Sequence, residues 1–306
     1  MAVTGVLPVF QTPFYDDSFG NAFRNEQIDY DTLEHEINWL FDCGSDGIVM
    51  AMVSEVLRLS GEERKALAEA ACRFGLPRGS VTLSVGAESS FVAEAFARHA
   101  ESVGATAVMA IPPVSIAIDE DELRRYYERI LNAVSIPVIV QDASGYVGRP
   151  MSIALQAALF NHYGPRVLFK PEAEPIGPRL TALRDATNGA APVFEGSGGI
   201  ALVDSFRRGI VGTMPGADLI DAIVALWRAL QADDEATVAR IHAPLAKLIS
   251  LQKGLDGFLA VEKHLLRRRG IFKNTVVRGP IGFVLDEATR HEVDRLFDLL
   301  QAELTQ

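Results

Sequence analysis

A lysine follows three apolar residues near the middle of the chain, in the segment VLFKPE at 167–172. The apolar run is typical of a short buried strand, and Pro171 ends it directly after Lys170. Burial disfavours the charged form of an amine, and a neutral amine can attack a ketone to form a Schiff base. The same position also suits a structural lysine that pairs with Glu172 or Glu195. The residues alone leave both interpretations open.

Two other segments contain groups that could bind an oxygen anion. The segment AMVSEV (51–56) could present backbone amides and the hydroxyl of Ser54 to a carboxylate. The glycine-rich segment FEGSGG (194–199) stands just before a helical stretch, where backbone amides favour anions. By itself each segment is weak support for a site. The glycines at 194–199 are equally typical of a tight turn at a corner of the barrel. We expect Lys263, in AVEKHL, to lie on a solvated helix face.

Eight short apolar runs position these residues, and a stretch with apolar residues at helical spacing follows each run. The runs are 5–10, 47–52, 81–86, 107–112, 137–142, 167–170, 192–196 and 210–214. Several are apolar throughout, as are parallel strands buried on both faces. Eight strand–helix units predict an α/β fold, a (β/α)8 TIM barrel, whose active site lies at the carboxyl ends of its strands. A doubly wound open sheet is the alternative, but its phosphate-binding turn would stand where QTPFYDD (11–17) stands.

The end of the chain has a different pattern. Three helical stretches, 234–251, 256–269 and 286–304, follow the eighth run without a further strand pattern. We therefore predict a barrel over residues 1–232 and a helical extension packed on it over residues 233–306.

The composition excludes several classes of function. The 306 residues carry a formal net charge of −11, so no basic face is expected to bind nucleic acid. No apolar run reaches the ~18 residues of a membrane-spanning helix, and the N-terminal segment lacks a signal-peptide pattern. We expect a cytoplasmic protein with no membrane partner. Six histidines lie away from the strand ends, and Cys43 and Cys72 lack ligand spacing, so we predict buried thiols, no metal and no cofactor.

Four segments together resemble the dihydrodipicolinate synthase and N-acetylneuraminate lyase superfamily, over essentially the whole chain. They are GSDGIVMAMVSEVLRLSGEER (44–64), GATAVMAIPP (104–113), IPVIVQD (136–142) and VLFKPE (167–172). The resemblance implies a barrel that assembles into a homo-oligomer, a tetramer. It also implies that the substrate is a small 2-keto acid, and that Lys170 forms a Schiff base with it.

The end of the fifth strand departs from most of that superfamily. A proton-relaying tyrosine and an asparagine are usual there, whereas this chain has Gln141 and Asp142. An amide has no usable proton at neutral pH and does not replace a phenol. The synthase's paired threonines are Met52 and Val53 here, and no arginine stands just beyond the fifth strand. These departures argue against the synthase reaction.

One branch, the bacterial L-2-keto-3-deoxyarabonate dehydratases, is similar at these places. The shared patterns are Ser-Glu and Leu-Ser within 54–60, Val-Gln-Asp-Ala at 140–143, Phe-Lys-x-Glu at 169–172 and Glu-Gly before a glycine pair at 195–199. The resemblance implies a class I lyase that dehydrates a 2-keto-3-deoxy sugar acid, such as 2-keto-3-deoxyarabonate, to a 2-oxo acid semialdehyde.

In such a dehydratase we expect Lys170 to be the nucleophile and Glu172 the acid–base group, with Glu195 and Asp142 in reserve. Binding residues are expected at both ends of the substrate. Val53 and Ser54 would hold its carboxylate, and its hydroxyl end would be lined by Gln141, Ser197 and Thr213. Glu195 and Gly196 are further expected substrate-binding residues.

Two alternative functions would also use Lys170. A class I aldolase would cleave the C3–C4 bond of a 2-keto-3-deoxy or 4-hydroxy-2-keto acid to pyruvate and an aldehyde. A paralogue that lacks the tyrosine could bind a keto acid without catalysis. The missing phenol favours elimination over cleavage, so the dehydratase is the first prediction.

Overall fold

The structure, a computed structural model, describes residues 3–17 and 25–305 and contains eight short parallel strands. The strands are β1 Gly5–Val6, β2 Gly47–Met50, β3 Ser80–Ser84, β4 Ala107–Ala110, β5 Val138–Asp142, β6 Val167–Pro171, β7 Phe194–Glu195 and β8 Gly212–Thr213. Several are shorter than the apolar runs that predicted them. In β1 the cause is Pro8, which has no N–H to donate to a ladder.

The strands close into a barrel. One set of pairings runs β2-β3-β4-β5-β6 and another runs β1-β8-β7. Single bridges join the two sets, from Val9 to Val49 on one side and from Phe169 to Val193 on the other. Backbone hydrogen bonds accompany these bridges, from Phe10 N to Val49 O at 3.1 Å and from Phe169 N to Pro192 O at 3.0 Å.

Helices surround the barrel and continue beyond it. They are α1 Tyr30–Asp42, α2 Gly61–Gly75, α3 Ser90–Ser102, α4 Glu120–Ala133, α5 Ile153–Tyr163, α6 Ile176–Ala186, α7 Leu202–Arg207, α8 Ile220–Gln231, α9 Glu235–Ile249, α10 Gly254–Arg268 and α11 Glu287–Leu304. The predicted (β/α)8 barrel with a C-terminal helical extension is therefore confirmed. Within residues 3–17 and 25–305, every helix is too short or too polar to cross a lipid bilayer.

The alternation of side chains along each strand decides which residues face the barrel interior. Ile139 and Leu168 belong to a buried apolar cluster inside the barrel, while Val140 and Phe169 pack against the surrounding helices. Successive side chains of a strand point to opposite faces. The residues two positions after the interior ones, at the ends of β5 and β6, therefore also face inward.

Helix α10 carries a lysine whose environment differs from the prediction. Lys263 is fully buried, and its ammonium group forms an ion pair with Glu55. The same ammonium donates to the backbone oxygens of Thr12 at 2.9 Å and Val276 at 2.7 Å. The prediction of a solvated Lys263 is wrong, because this turn of α10 faces the barrel.

The two cysteines also differ from each other. Cys72 is buried within α2, as predicted, whereas Cys43 follows the end of α1 and is only partly buried.

Candidate active site

Three side chains from the ends of β5 and β6 form a hydrogen-bonded row inside the barrel mouth. Lys170 Nζ donates to Glu172 Oε1 at 2.6 Å, and Gln141 Nε2 donates to Glu172 Oε2 at 2.8 Å. Gln141 and Lys170 are register partners in the parallel pair, which places their side chains next to each other. Glu172, two residues after Lys170, therefore faces the same side of the barrel mouth as the lysine. We call these three residues the Gln141–Glu172–Lys170 row.

The Lys170–Glu172 pair is removed from solvent. Only 5% of the Lys170 side chain and 3% of the Glu172 side chain are exposed. Burial raises the pKa of Glu172 above its ordinary value, and the adjacent Lys170 opposes that rise. Pairing with Glu172 was the structural alternative for Lys170. At 2.6 Å the contact is equally suited to passing a proton between the two groups.

The row lines a cavity at the carboxyl ends of the strands, where barrel enzymes have their active sites. Val53 and Gly196 also line this cavity, and so do Leu255 and Phe258 of α10. The helical extension therefore completes the cavity that the barrel begins. Among the described residues, no group of three or more His, Cys, Asp or Glu side chains could hold a metal ion.

Gly196 lies against the row. A Cβ atom at this position would lie 2.8 Å from both Lys170 Cε and Glu172 Oε1, which is closer than such atoms approach. Position 196 must therefore be glycine for the lysine and glutamate to keep this arrangement.

Glu195 lies beneath the cavity and holds several predicted binding residues in place. It is 1% exposed, and its Oε2 accepts a hydrogen bond from Thr213 Oγ1 at 2.7 Å. The backbone N–H and the hydroxyl of Ser197 both donate to Glu195 Oε1. The hydroxyls of Ser197 and Thr213 thus bond to protein, and their predicted contact with substrate stays a prediction.

Ser54 is fully buried in the 3-10 turn Met52–Ser54. Its hydroxyl donates to Phe10 O at 2.6 Å and accepts from Ala51 N at 3.1 Å, and its own N–H donates to Ala51 O at 3.0 Å. These contacts fix the turn that presents Val53 to the cavity. Ser54 therefore shapes the turn, and its predicted bond to a substrate carboxylate stays a prediction.

Asp142, a reserve candidate for proton transfer, organises the loop after β5. Its Oδ2 accepts from Met151 N at 2.9 Å, and its Oδ1 accepts from Ser144 N at 3.2 Å. The guanidinium of Arg179 lies 3.5 Å from the same carboxylate.

Two cavity residues, Tyr146 and Glu262, were not identified from the sequence. The Tyr146 hydroxyl approaches Gly196 O at 3.4 Å, and its ring packs edge-on against Phe258 with centroids 5.5 Å apart. Burial raises the pKa of the phenol, and nearby carboxylates, including Glu172 and Glu262, raise it further. Neither residue follows an apolar run directly, so the strand-end rule did not select them.

A match to a protein-family model identifies the family of this chain. The model of the dihydrodipicolinate synthetase family matches residues 2–299. The chain belongs to this family. The resemblance seen in the four sequence segments is thereby confirmed. Members of the family are lyases, which agrees with a catalytic interpretation of the lysine site.

Individual relatives differ in the reaction they are named for. An L-2-keto-3-deoxyarabonate dehydratase of Azospirillum brasilense is 28% identical over 288 residues, which cover 90% of this chain and 88% of the relative. A probable 2-dehydro-3-deoxy-D-pentonate aldolase of Escherichia coli strain K12 is 23% identical, with 98% and 97% covered. These two family members are lyases of different kinds, so membership leaves the reaction subclass open.

Solved structures agree on the fold. The dihydrodipicolinate synthase of Rhodopseudomonas palustris superposes with a TM-score of 0.86 over 97% of both chains at 23% sequence identity.

Proposed function

We propose that this chain is a Schiff-base lyase that dehydrates a 2-keto-3-deoxy sugar acid, such as 2-keto-3-deoxyarabonate, to a 2-oxo acid semialdehyde. The observation that carries the proposal is the Gln141–Glu172–Lys170 row. At the end of β5, the row has an amide that orients a buried carboxyl group, instead of a phenol. The named dehydratase among the relatives supports the same assignment.

The first steps activate the substrate. Lys170 passes a proton to Glu172, and its neutral amine attacks the C2 ketone. Glu172 returns that proton to the departing oxygen, which gives water, a protonated imine and a Glu172 carboxylate. The imine makes the C3 protons acidic. Glu172 accepts one of them, because its Oε1 lies 2.6 Å from the nitrogen that joins C2 and therefore near C3. The electron pair of the broken C3–H bond forms the enamine.

The enamine then expels the C4 hydroxyl group. The C4–O bond breaks with its electron pair on oxygen, a proton completes the departing water, and a C3–C4 double bond forms. Hydrolysis returns the amine of Lys170, and proton shifts along the chain convert the product to the semialdehyde. All carbons of the substrate are retained.

Binding is proposed at both ends of the cavity. The backbone at Val53 would hold the substrate carboxylate on one wall, and Gln141 and Gly196 would contact the hydroxyl end. Glu195, fixed by Ser197 and Thr213, would support Gly196 from beneath. Lys170 is the one ammonium or guanidinium group among the described cavity-lining residues, so a single carboxylate on the substrate suits the charge of the site.

Aldol cleavage is the second candidate, and Tyr146 is the observation that favours it. Retro-aldol chemistry needs a base for the C4 hydroxyl, and the Tyr146 phenol lies within the cavity. The Escherichia coli relative that is named as a probable aldolase belongs to the same family as this chain. Against cleavage, the raised pKa of this buried phenol makes its conversion to a base unfavourable.

Borohydride reduction in the presence of pyruvate tests the shared Schiff base. We expect a reduced adduct on Lys170, located by mass mapping, and none in Lys170→Ala. An unmodified wild-type protein would refute both lyase assignments. An adduct without turnover of any 2-keto-3-deoxy acid would identify a keto-acid-binding paralogue.

Product analysis separates the two reactions. A 2-keto-3-deoxypentonate should give a semialdehyde that retains all five carbons. Formation of pyruvate and an aldehyde would establish the aldolase instead.

A further inference from the structure

Glu262 is a second buried carboxyl group in the same cavity, on a different wall from Glu172. It extends from α10 and is 1% exposed, and Gln11 Nε2 donates to its Oε2 at 2.6 Å. Its Oε1 lies 2.6 Å from the position that a Cβ atom of Gly216 would occupy. Gly216 also lines the cavity. Because residue 216 has no side chain, the carboxyl group of Glu262 is uncovered on the cavity side.

The surroundings of Glu262 favour its neutral form. Burial raises its pKa well above the ordinary value, and the buried carboxyl groups of Asp218 and Glu36 raise it further. The neighbouring cation, Lys263, bonds to Glu55 and to two backbone oxygens instead. These surroundings therefore favour the protonated form of Glu262, which can donate a proton.

Elimination needs such a donor beside the departing hydroxyl. Glu172 accepts hydrogen bonds on both of its oxygens, from Lys170 and from Gln141, and is positioned near C2 and C3. A proton delivered to oxygen at C4 is best supplied by a group on another wall. Of the two further candidates, a neutral carboxylic acid is a much stronger acid than the phenol of Tyr146, whose pKa is raised.

We propose that Glu262 is a second catalytic acid, which protonates the departing C4 hydroxyl while Glu172 holds the proton taken from C3. This role rests on the proposed dehydratase function. The C4–O electron pair leaves with oxygen, the proton of Glu262 completes a water molecule, and Glu262 becomes a carboxylate. Gln11 Nε2 and the N–H of Ala217 stabilise that carboxylate until solvent returns the proton after product release.

The variant Glu262→Gln separates this role from Schiff-base formation. The amide keeps the size and hydrogen-bonding capacity of the side chain but supplies no proton. We expect the Lys170 adduct with pyruvate and the exchange of pyruvate methyl protons in D2O to be unchanged. Dehydration should fall ~10²–10⁴-fold, the usual contribution of a positioned acid.

Glu36→Gln is the matched control. Glu36 is also fully buried and also bonds to Gln11, whose backbone N–H donates to Glu36 Oε1 at 2.9 Å. Its side chain lies outside the cavity lining. Glu36 contributes least of the groups that raise the pKa of Glu262, so this variant should retain the rate of dehydration to within a few-fold.

A substrate analogue with fluorine at C4 gives a readout that a purely structural role would not change. Fluoride leaves with less need of a proton, so the loss in Glu262→Gln should shrink by at least about tenfold with the analogue. If the variant does not fold, Gly216→Ala provides the same test, because its methyl group would lie 2.6 Å from Glu262 Oε1 and would displace that carboxyl group.

The outcomes distinguish this role from the proposed function. A wild type that dehydrates the substrate and a Glu262→Gln variant that does so equally well would overturn the role of Glu262 alone. Equal losses of proton exchange and dehydration, or equal losses with both leaving groups, would also overturn it. A wild type without a Lys170 adduct would overturn the dehydratase, and the role of Glu262 with it.

Discussion

The buried ion pair between Lys263 and Glu55 links α10 to the turn after β2. Both side chains are fully removed from solvent. Glu55 has a left-handed backbone with φ of 56° and also accepts from Arg278 N at 3.0 Å. Each charge is thus satisfied by several partners, which is the condition under which a buried pair is tolerated.

Removing one partner of this pair should be strongly destabilising. Lys263→Met is expected to lower the free energy of unfolding by about 3–5 kcal/mol, because the carboxylate of Glu55 would remain buried without its cation. The double variant Glu55→Gln with Lys263→Met should recover a large part of that loss. Urea unfolding followed by circular dichroism measures both. A loss below about 1 kcal/mol for Lys263→Met would contradict the pairing.

At the residue scale, the sequence predicted groups that lie in or beside a strand and missed those that reach the site from elsewhere. Lys170 and Glu172 were predictable because both lie in the six-residue segment 167–172. The alternation of side chains along a strand, and the position of barrel active sites at strand ends, apply directly to such a segment. Tyr146 enters from a loop, and Glu262 enters from a helix more distant in the chain. Lys263 was misplaced because a lysine in an amphipathic helix ordinarily faces solvent, and its partner Glu55 is distant in sequence.

At the scale of elements, α2 begins with a reciprocal cap. Ser60 Oγ accepts from Glu63 N at 3.1 Å, and Glu63 Oε2 accepts from Ser60 N at 2.9 Å. The first N–H groups of a helix have no partner within the helix, so this arrangement satisfies two exposed donors. Ser89 is the corresponding cap residue directly before α3, and its side chain makes no such bond.

These two serines form a matched pair. Ser60→Ala should lower the free energy of unfolding by about 1 kcal/mol, the usual contribution of an N-cap hydrogen bond. Ser89→Ala should cost no more than a few tenths of that amount, because no bond to the helix is lost. Urea midpoints of the two variants, compared with wild type, measure the difference. Equal effects would show that the cap on α2 contributes nothing specific.

The order of strands and helices was predictable because each element has a local pattern of apolar residues. The lengths of the strands were less predictable from these patterns. Apolar residues continue past Val6 into Pro8 and Val9, but the ladder breaks at the proline, and beyond it Val9 forms only isolated bridges, to Val49 and to Gly216. Local hydrophobicity therefore located the elements, whereas backbone pairing determined where each one ends.

At the scale of the whole molecule, buried carboxyl groups lie between the barrel and its helical extension. Asp218, between β8 and α8, is 3% exposed and accepts from Gln252 Nε2 at 3.1 Å. The backbone oxygen of Asp218 accepts from Arg269 Nε at 2.8 Å. These contacts join residues that are far apart in the sequence, so no local pattern predicted them.

The ionisation of Asp218 couples this junction to pH. Burial raises its pKa from 3.8 to about 7, and Arg269 opposes the rise. Between these two values the folded protein holds a proton that the unfolded chain has lost. The stability that this group contributes is fully present below about pH 4 and is lost as the pH rises through about 7.

The variant Asp218→Asn should remove that dependence. Asparagine resembles the protonated side chain and can still accept from Gln252, so below about pH 4 the variant and wild type should have similar stability. At about pH 8 the wild type buries a carboxylate, and the variant should be more stable by on the order of 4 kcal/mol, because the pKa of Asp218 rises from 3.8 to about 7 on folding. Comparing urea midpoints of the two proteins across this range cancels the titration of carboxyl groups that they share. A stability difference that stays constant from about pH 5 to pH 8 would show that Asp218 is already ionised throughout, and that the junction between barrel and extension tolerates its charge.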